Sequence, residues 1–274
     1  MLTSLYIEKP KLKSGFARLL GKLRRDKIDT NIKQAGGISI RCVKYTAYSD
    51  KINYLRLDKI IGAQRNRILC NENVVLPKES GYKRFEDNGY KERLCTNLAV
   101  SLLKTYKENH LSVGIIDTEA HFSALSEEVL RYTDDVIVAT KRYDIYKGVS
   151  QQVIEENGAV MRISKSYSSL KNCDLIIAPQ WVDDLFVEKD NTIILTTQKP
   201  NKKVGGVVIY DYVVKLPSML ADLCPEGISE TYFGSALYSC LGVYELGSLI
   251  PRLCISDNVV HTPFSLKTLL LKRK

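Results

Sequence analysis

Ser112-Val113-Gly114-Ile115-Ile116-Asp117 is the first of five short apolar runs that decide the fold. The others are Asp135-Val136-Ile137-Val138-Ala139-Thr140, Ala159-Val160-Met161-Arg162-Ile163, Asp174-Leu175-Ile176-Ile177-Ala178-Pro179 and Thr192-Ile193-Ile194-Leu195-Thr196-Thr197. Four of the five are almost continuously apolar and rich in Val and Ile. A strand with one face in water alternates apolar and polar residues, whereas a strand covered on both faces does not. The runs therefore predict a parallel sheet with helices on each side. Helical stretches at 119–132, 143–157, 166–170 and 182–186 supply the crossovers, and Gly158 stands where a helix C-terminal stop belongs. Right-handed crossovers make such a sheet doubly wound. Residues 207–216 and 229–241 add a further strand and a helix that close the core. The expected fold class is α/β, a doubly wound and mainly parallel sheet with a smaller N-terminal α+β module.

The rhythm differs before residue 111. Ser14 is placed to cap a helix over Phe16–Ile28 in which Phe16, Leu19, Leu20 and Leu23 recur at helical spacing. Arg18, Lys22, Arg24, Arg25 and Lys27 charge its other face. After the Gly36-Gly37 break, Ile38, Ile40 and Cys42 alternate with Ser39 and Arg41, and Ile52–Leu57 reads as a second extended segment. The two predict an antiparallel hairpin. A helix from about Tyr90 to Lys107 presents Leu94, Leu98, Leu102 and Leu103 on one face. The predicted domains are a basic module over 1–110 and a sheet domain over 111–274.

The net charge of +9 on 274 residues is unevenly placed. Residues 1–110 hold 23 Lys and Arg against 11 Asp and Glu, while residues 111–274 hold 17 against 20. A basic excess of this kind suits solubility or an anionic partner such as nucleic acid, but no stacking platform of aromatics and no helix-turn-helix accompanies it. The seven cysteines are odd in number with no CxxC pair, and none of the three histidines pairs with cysteine at zinc-ligand spacing. Reduced thiols in a cytoplasmic protein, with no metal, are the expectation. No apolar run is long enough to span a membrane; the best, 204–216, is broken by Asp211 and Lys215.

From Leu111 to Thr197 the order of elements resembles the dinucleotide-binding domains of Rossmann dehydrogenases, nearest the shikimate dehydrogenase and glutamyl-tRNA reductase group. The likeness is carried by Val113–Asp117, Val136–Thr140 and Cys173-Asp174-Leu175-Ile176-Ile177-Ala178-Pro179, about a third of the chain. It implies a Rossmann-like sheet and an NAD(P)-binding-like domain. In those families a glycine-rich turn after the first strand lets the backbone approach a pyrophosphate. Here Asp117-Thr118-Glu119-Ala120-His121-Phe122 occupies that place, with no glycine and two carboxylates.

In an open parallel sheet, ligands bind beyond the carboxyl ends of the strands. That edge selects Asp117, Thr118, Glu119 and His121 after the first strand. It also selects Thr140, Lys141 and Arg142 after the second, and Pro179, Gln180 and Asp183 after the fourth. Carboxylates and an imidazole there suit a divalent metal or acid–base work, while Asp117 or Thr118 also suits capping of the following helix. Lys141 and Arg142 suit the adenosine phosphate of NADP. Tyr143-Asp144-Ile145-Tyr146-Lys147 matches a YxxxK pattern, but it follows the second strand instead of lying on the later helix where that pair works. Three functions follow. The first is a Rossmann-like module without the phosphate turn, binding a small ligand or a protein. The second is an oxidoreductase with an atypical NADP site. The third is a nucleic-acid-binding protein acting through its basic first part.

Overall fold

The computed structural model describes residues 1–10, 24–49, 52–105, 111–180, 183–241 and 249–271. They form two compact units, Met1–Asp87 with Lys215–Leu241, and Asn88–Val214 with the described part of Gly242–Lys274. The change of rhythm at residue 111 thus falls inside the second unit, which begins with the helix before it.

The second unit is built on six parallel strands: β5 (Ser112–Ile116), β6 (Asp135–Ala139), β7 (Met161–Ser164), β8 (Leu175–Ala178), β9 (Ile193–Thr196) and β10 (Val207–Ile209). Their spatial order is β10-β9-β8-β5-β6-β7. Winding starts at β5, moves out through β6 to β7, then returns to the other side of β5 at β8. That is the Rossmann order, with its switch point between β5 and β8. The sheet is flanked by helices and accompanied by a smaller sheet module, as the apolar runs require.

The two halves of the winding are unlike each other. α3 (Ser123–Leu130) and α4 (Tyr143–Asn157) connect β5 to β6 and β6 to β7, and α2 (Asn88–Thr105) packs against β8 and β9. Past β7 the connections shorten to a 3-10 turn at Tyr167–Leu170 and to turns around 183–192. The helix expected over 182–186 is absent from its described part, where residues 183 and 184 form a turn. Leu170, Cys173, Leu185, Val187 and Val204 from these connections bury Ile116, Ile137, Ile176 and Ile194 on one face of the sheet. Gly114 permits this: a Cβ there would stand 3.0 Å from the Leu170 Cδ2. The run 207–216 divides between β10 and β11 (Asp211–Val213), the latter pairing in a three-stranded antiparallel sheet with β12 (Leu253–Ser256) and β13 (Val259–His261). α7 (Pro263–Leu271) follows; residues 272–274 lie outside the described residues.

The first unit holds a mixed sheet, β1 (Leu2–Glu8), β2 (Lys27–Ala35), β3 (Ile38–Thr46) and β4 (Leu69–Cys70), in the order β2-β3-β1-β4. β1 lies parallel to β3 and β4, and β2 is antiparallel to β3. Here the sequence-based expectation is corrected. The hairpin joins β2 and β3 through Gly36-Gly37, whose φ values of 55° and 77° are the left-handed conformation a two-residue hairpin turn demands. Residues 52–57 instead lead into helix α1 (Tyr54–Ile61), because the Asn53 side chain accepts the Arg56 amide at 3.1 Å and caps it. Leu57 and Ile61, one turn apart, are its buried face. Of the helix expected over 16–28, residues 16–23 lie outside the described residues, residues 24–26 are not helical, and Lys27-Ile28 begin β2.

α1 covers one face of this sheet, with Leu5, Val43, Tyr45, Leu57 and Ile61 in one cluster. The other face is covered by the short α5 (Ser218–Ala221) and by α6 (Glu230–Leu241), where Phe233 and Leu237 of α6 meet Ile40, Leu69 and Phe85. This helix was expected to close the Rossmann core, and it packs in the first unit instead. None of the seven cysteines is in a disulfide. Among the described residues no helix is long and apolar enough to cross a membrane.

Candidate functional site

The carboxyl edge of the parallel sheet is organised around Asp117. Its side chain is buried, with 1% exposure. Oδ1 accepts the His121 amide at 2.9 Å, and Oδ2 accepts the Phe122 amide at 2.7 Å and the Tyr146 hydroxyl at 2.6 Å. The Asp117 amide donates to the Ala139 carbonyl of β6 at 3.1 Å, which ties the turn to the neighbouring strand. The Tyr146 hydroxyl is fully buried on α4, and burial first, then the Asp117 carboxylate, raises its pKa far above the ordinary value. It stays protonated and donates.

The amides of His121 and Phe122 come just before α3. In a dinucleotide-binding turn, amides at this strand-to-helix position face the pyrophosphate. Here a carboxylate of the same chain takes them. Phe122 at the helix start provides no side-chain cap, so Asp117 does that work from five residues upstream. The turn is tight enough to hold Ala120 at φ 60°, a left-handed conformation that costs a residue with a Cβ about 1–2 kcal/mol.

The second loop is laced to the first. The Thr118 carbonyl accepts the Lys141 amide at 3.2 Å and the Thr140 hydroxyl at 3.5 Å, and the Thr118 hydroxyl lies 3.3 Å from that of Tyr167. The Thr140 hydroxyl also accepts the Arg142 amide at 3.0 Å. Lys141 and Arg142 are exposed, and Arg142 pairs with Asp144 at 3.4 Å. Glu119 and His121 expose their side chains, His121 giving only its backbone to the turn. After β8, buried Pro179 accepts the Thr197 hydroxyl through its carbonyl at 2.7 Å, Gln180 donates to Glu92 of α2 at 3.4 Å, and Asp183 is exposed.

The structure thus joins Thr118, Thr140, Lys141 and Arg142 by hydrogen bonds, and Asp117 with His121 beside them, while Pro179 and Gln180 are bonded elsewhere. Sequence reasoning missed Tyr146, Tyr167 and Glu92. Tyr146 had a signal in its helical register with Val153, both being buried on α4. The YxxxK pair itself faces outward: Tyr143 and Lys147 line a recess of about 360 Å³ with Met161 and Ile163. A second recess, of about 430 Å³, lies in the first unit beside Asp26 and Asn53. None of the ten candidate residues lines either recess. Among the described residues no group of three or more His, Cys, Asp or Glu is placed to hold a metal ion.

No protein-family model matches this chain, and no curated protein matches it. Among solved structures it is similar to L-tryptophan dehydrogenase from Nostoc punctiforme, at 10% identity and a TM-score of 0.33, over 84% of this chain and 68% of that one. The Rossmann assignment stands on strand order and parallel pairing.

Proposed function

We propose that the second unit is a Rossmann-type module in which an internal carboxylate replaces the dinucleotide phosphate, and that it serves in the cytoplasm as a binding or regulatory module for a small ligand or another protein. The observation that carries this is Asp117 on the amides of His121 and Phe122. A diphosphate approaching those amides would have to displace a buried carboxylate held by three donors and would meet its negative charge. The atypical NADP site is the weaker reading, because Arg142 is paired with Asp144 and Lys141 stands alone in front of the turn.

Thermal denaturation with NAD+, NADH, NADP+ and NADPH tests this. A site with a dissociation constant of about 10 μM would add about 2.7 kcal/mol at a hundredfold excess of ligand, a shift of several degrees. The expected result is an unchanged midpoint with all four. A saturable rise with any of them restores the oxidoreductase reading, and a rise confined to the NADP forms assigns Lys141 to the extra phosphate.

A further inference from the structure

We infer that strand β2 of the first unit is a self-complementary edge through which two copies of this chain pair, joining their four-stranded sheets into one. The inference does not depend on the nucleotide reading of the second unit.

β2 is the last strand of its sheet, and among the described residues nothing pairs with its outer side. It is nine residues long and mostly exposed, with Ile32 at 52%. Long exposed edges invite pairing, and proteins that avoid it shorten, bulge or cover them. The hairpin register fixes which groups face outward. Ala35 and Ile38 flank a two-residue turn and are therefore a hydrogen-bonded pair. Pairs alternate in an antiparallel ladder, so Lys27, Asp29, Asn31, Lys33 and Ala35 turn their backbone groups inward to β3. Ile28, Thr30, Ile32 and Gln34 turn theirs outward.

A second β2 laid antiparallel about a two-fold axis through Asn31 sets Thr30 opposite Ile32 of the other copy and Ile28 opposite its Gln34. About eight backbone hydrogen bonds form from the outward groups. On the other face Asp29 falls opposite Lys33 of the second copy, twice by symmetry, in the closely spaced non-hydrogen-bonded position where side chains meet best. The neighbouring registers are worse. A shift of two residues one way sets Lys27 against Lys33, and a shift the other way sets Asp29 against Ala35. Within one chain Lys27 already pairs with Asp29 at 2.9 Å, and the Lys33 ammonium donates to the carbonyls of Asp222 and Cys224 at 3.1 and 3.0 Å. That leaves Lys33 anchored with one N–H to spare for the incoming carboxylate. The charges that would repel an unrelated strand thus select a second copy.

Sedimentation velocity on the full chain over a range from about 1 to about 300 μM tests this, since an edge-only interface of small area dissociates on dilution. The expected result is a reversible monomer–dimer equilibrium. Thr30→Pro removes an outward N–H while leaving the β3 ladder intact, as proline is tolerated on the open side of an edge strand. It should be monomeric throughout with an unchanged circular dichroism spectrum. Asp29→Lys alone and Lys33→Glu alone should each weaken association at least tenfold, and an equimolar mixture of the two should recover it as a heterodimer. A wild-type chain that remains monomeric overturns the inference. So does a dimer that none of these substitutions weakens, or a mixture that fails to recover.

Discussion

Asp117→Ala is expected to lower the stability of the parallel-sheet unit by about 3–5 kcal/mol, because it strands three donors at once. The amides of His121 and Phe122 and the Tyr146 hydroxyl converge on this one buried carboxylate. Bonds to a charged acceptor contribute about 1.5–3 kcal/mol each, and a buried donor left without a partner costs its desolvation as well. Tyr146→Phe removes a single donor and is expected to cost about 1.5–3 kcal/mol. The double variant should cost less than the sum, since both changes break the same bond. Native-state hydrogen exchange at the β5 and β6 amides reads the opening free energy of this unit even if the two units unfold separately. A loss below about 1 kcal/mol for Asp117→Ala would mean that the turn is held by something else.

Gly206→Ala is expected to cost about 2–4 kcal/mol, through strain and collision together. Gly206 sits at φ 67°, and a Cβ there would stand 2.5 Å from the Thr192 carbonyl oxygen. That oxygen cannot retreat, because it accepts the Val207 amide at 2.8 Å and so docks β10 beside β9. Gly148 is the internal control. It lies exposed within α4 with nothing within 4 Å of its would-be Cβ and no positive φ, so Gly148→Ala should stabilise by about 0.5–1 kcal/mol. The same exchange measurement separates the two, and equal effects would remove the conformational explanation.

The parallel sheet was legible because burial on both faces writes itself as unbroken Val and Ile runs. Ile193-Ile194-Leu195 and Leu175-Ile176-Ile177 have no other comfortable use, and both became strands. The edges were not legible for the opposite reason. β2 reads Lys-Ile-Asp-Thr-Asn-Ile-Lys-Gln-Ala, with Ile28 and Ile32 on one face separated by Thr30 and charged residues on the other, so its apolar pattern is too sparse to mark a strand. Ile52-Asn53-Tyr54-Leu55-Arg56-Leu57 is a short, largely apolar stretch that suits a strand as well as a helix, yet Asn53 caps and Leu57 pairs with Ile61, beyond the end of that window. Phe233 and Leu237 announced an amphipathic helix but not which unit it would cover. At the site, Asp117 was legible as a residue at a strand end. Its partner Tyr146 depends on the rotation of α4, which only the packing of Tyr146 and Val153 reveals.

The two units also differ in what their exposed charge can do. In the first, Lys27, Asp29 and Lys33 lie on one face of the edge strand β2. In the second, the Asp117 carboxylate at the end of β5 is buried and already bonded, which is the ground for proposing a turn closed to anions.

The closed turn is tested most directly by following the backbone amide resonances of His121 and Phe122 while NAD+ and then inorganic pyrophosphate are added to the native chain. With Asp117 seated on both amides, they should keep their chemical shifts up to millimolar ligand, and so should Asp117 and Thr118. Saturable shifts concentrated on residues 117–123 would show that a phosphate can displace the carboxylate, and would contradict the view that this Rossmann unit fills its own phosphate site.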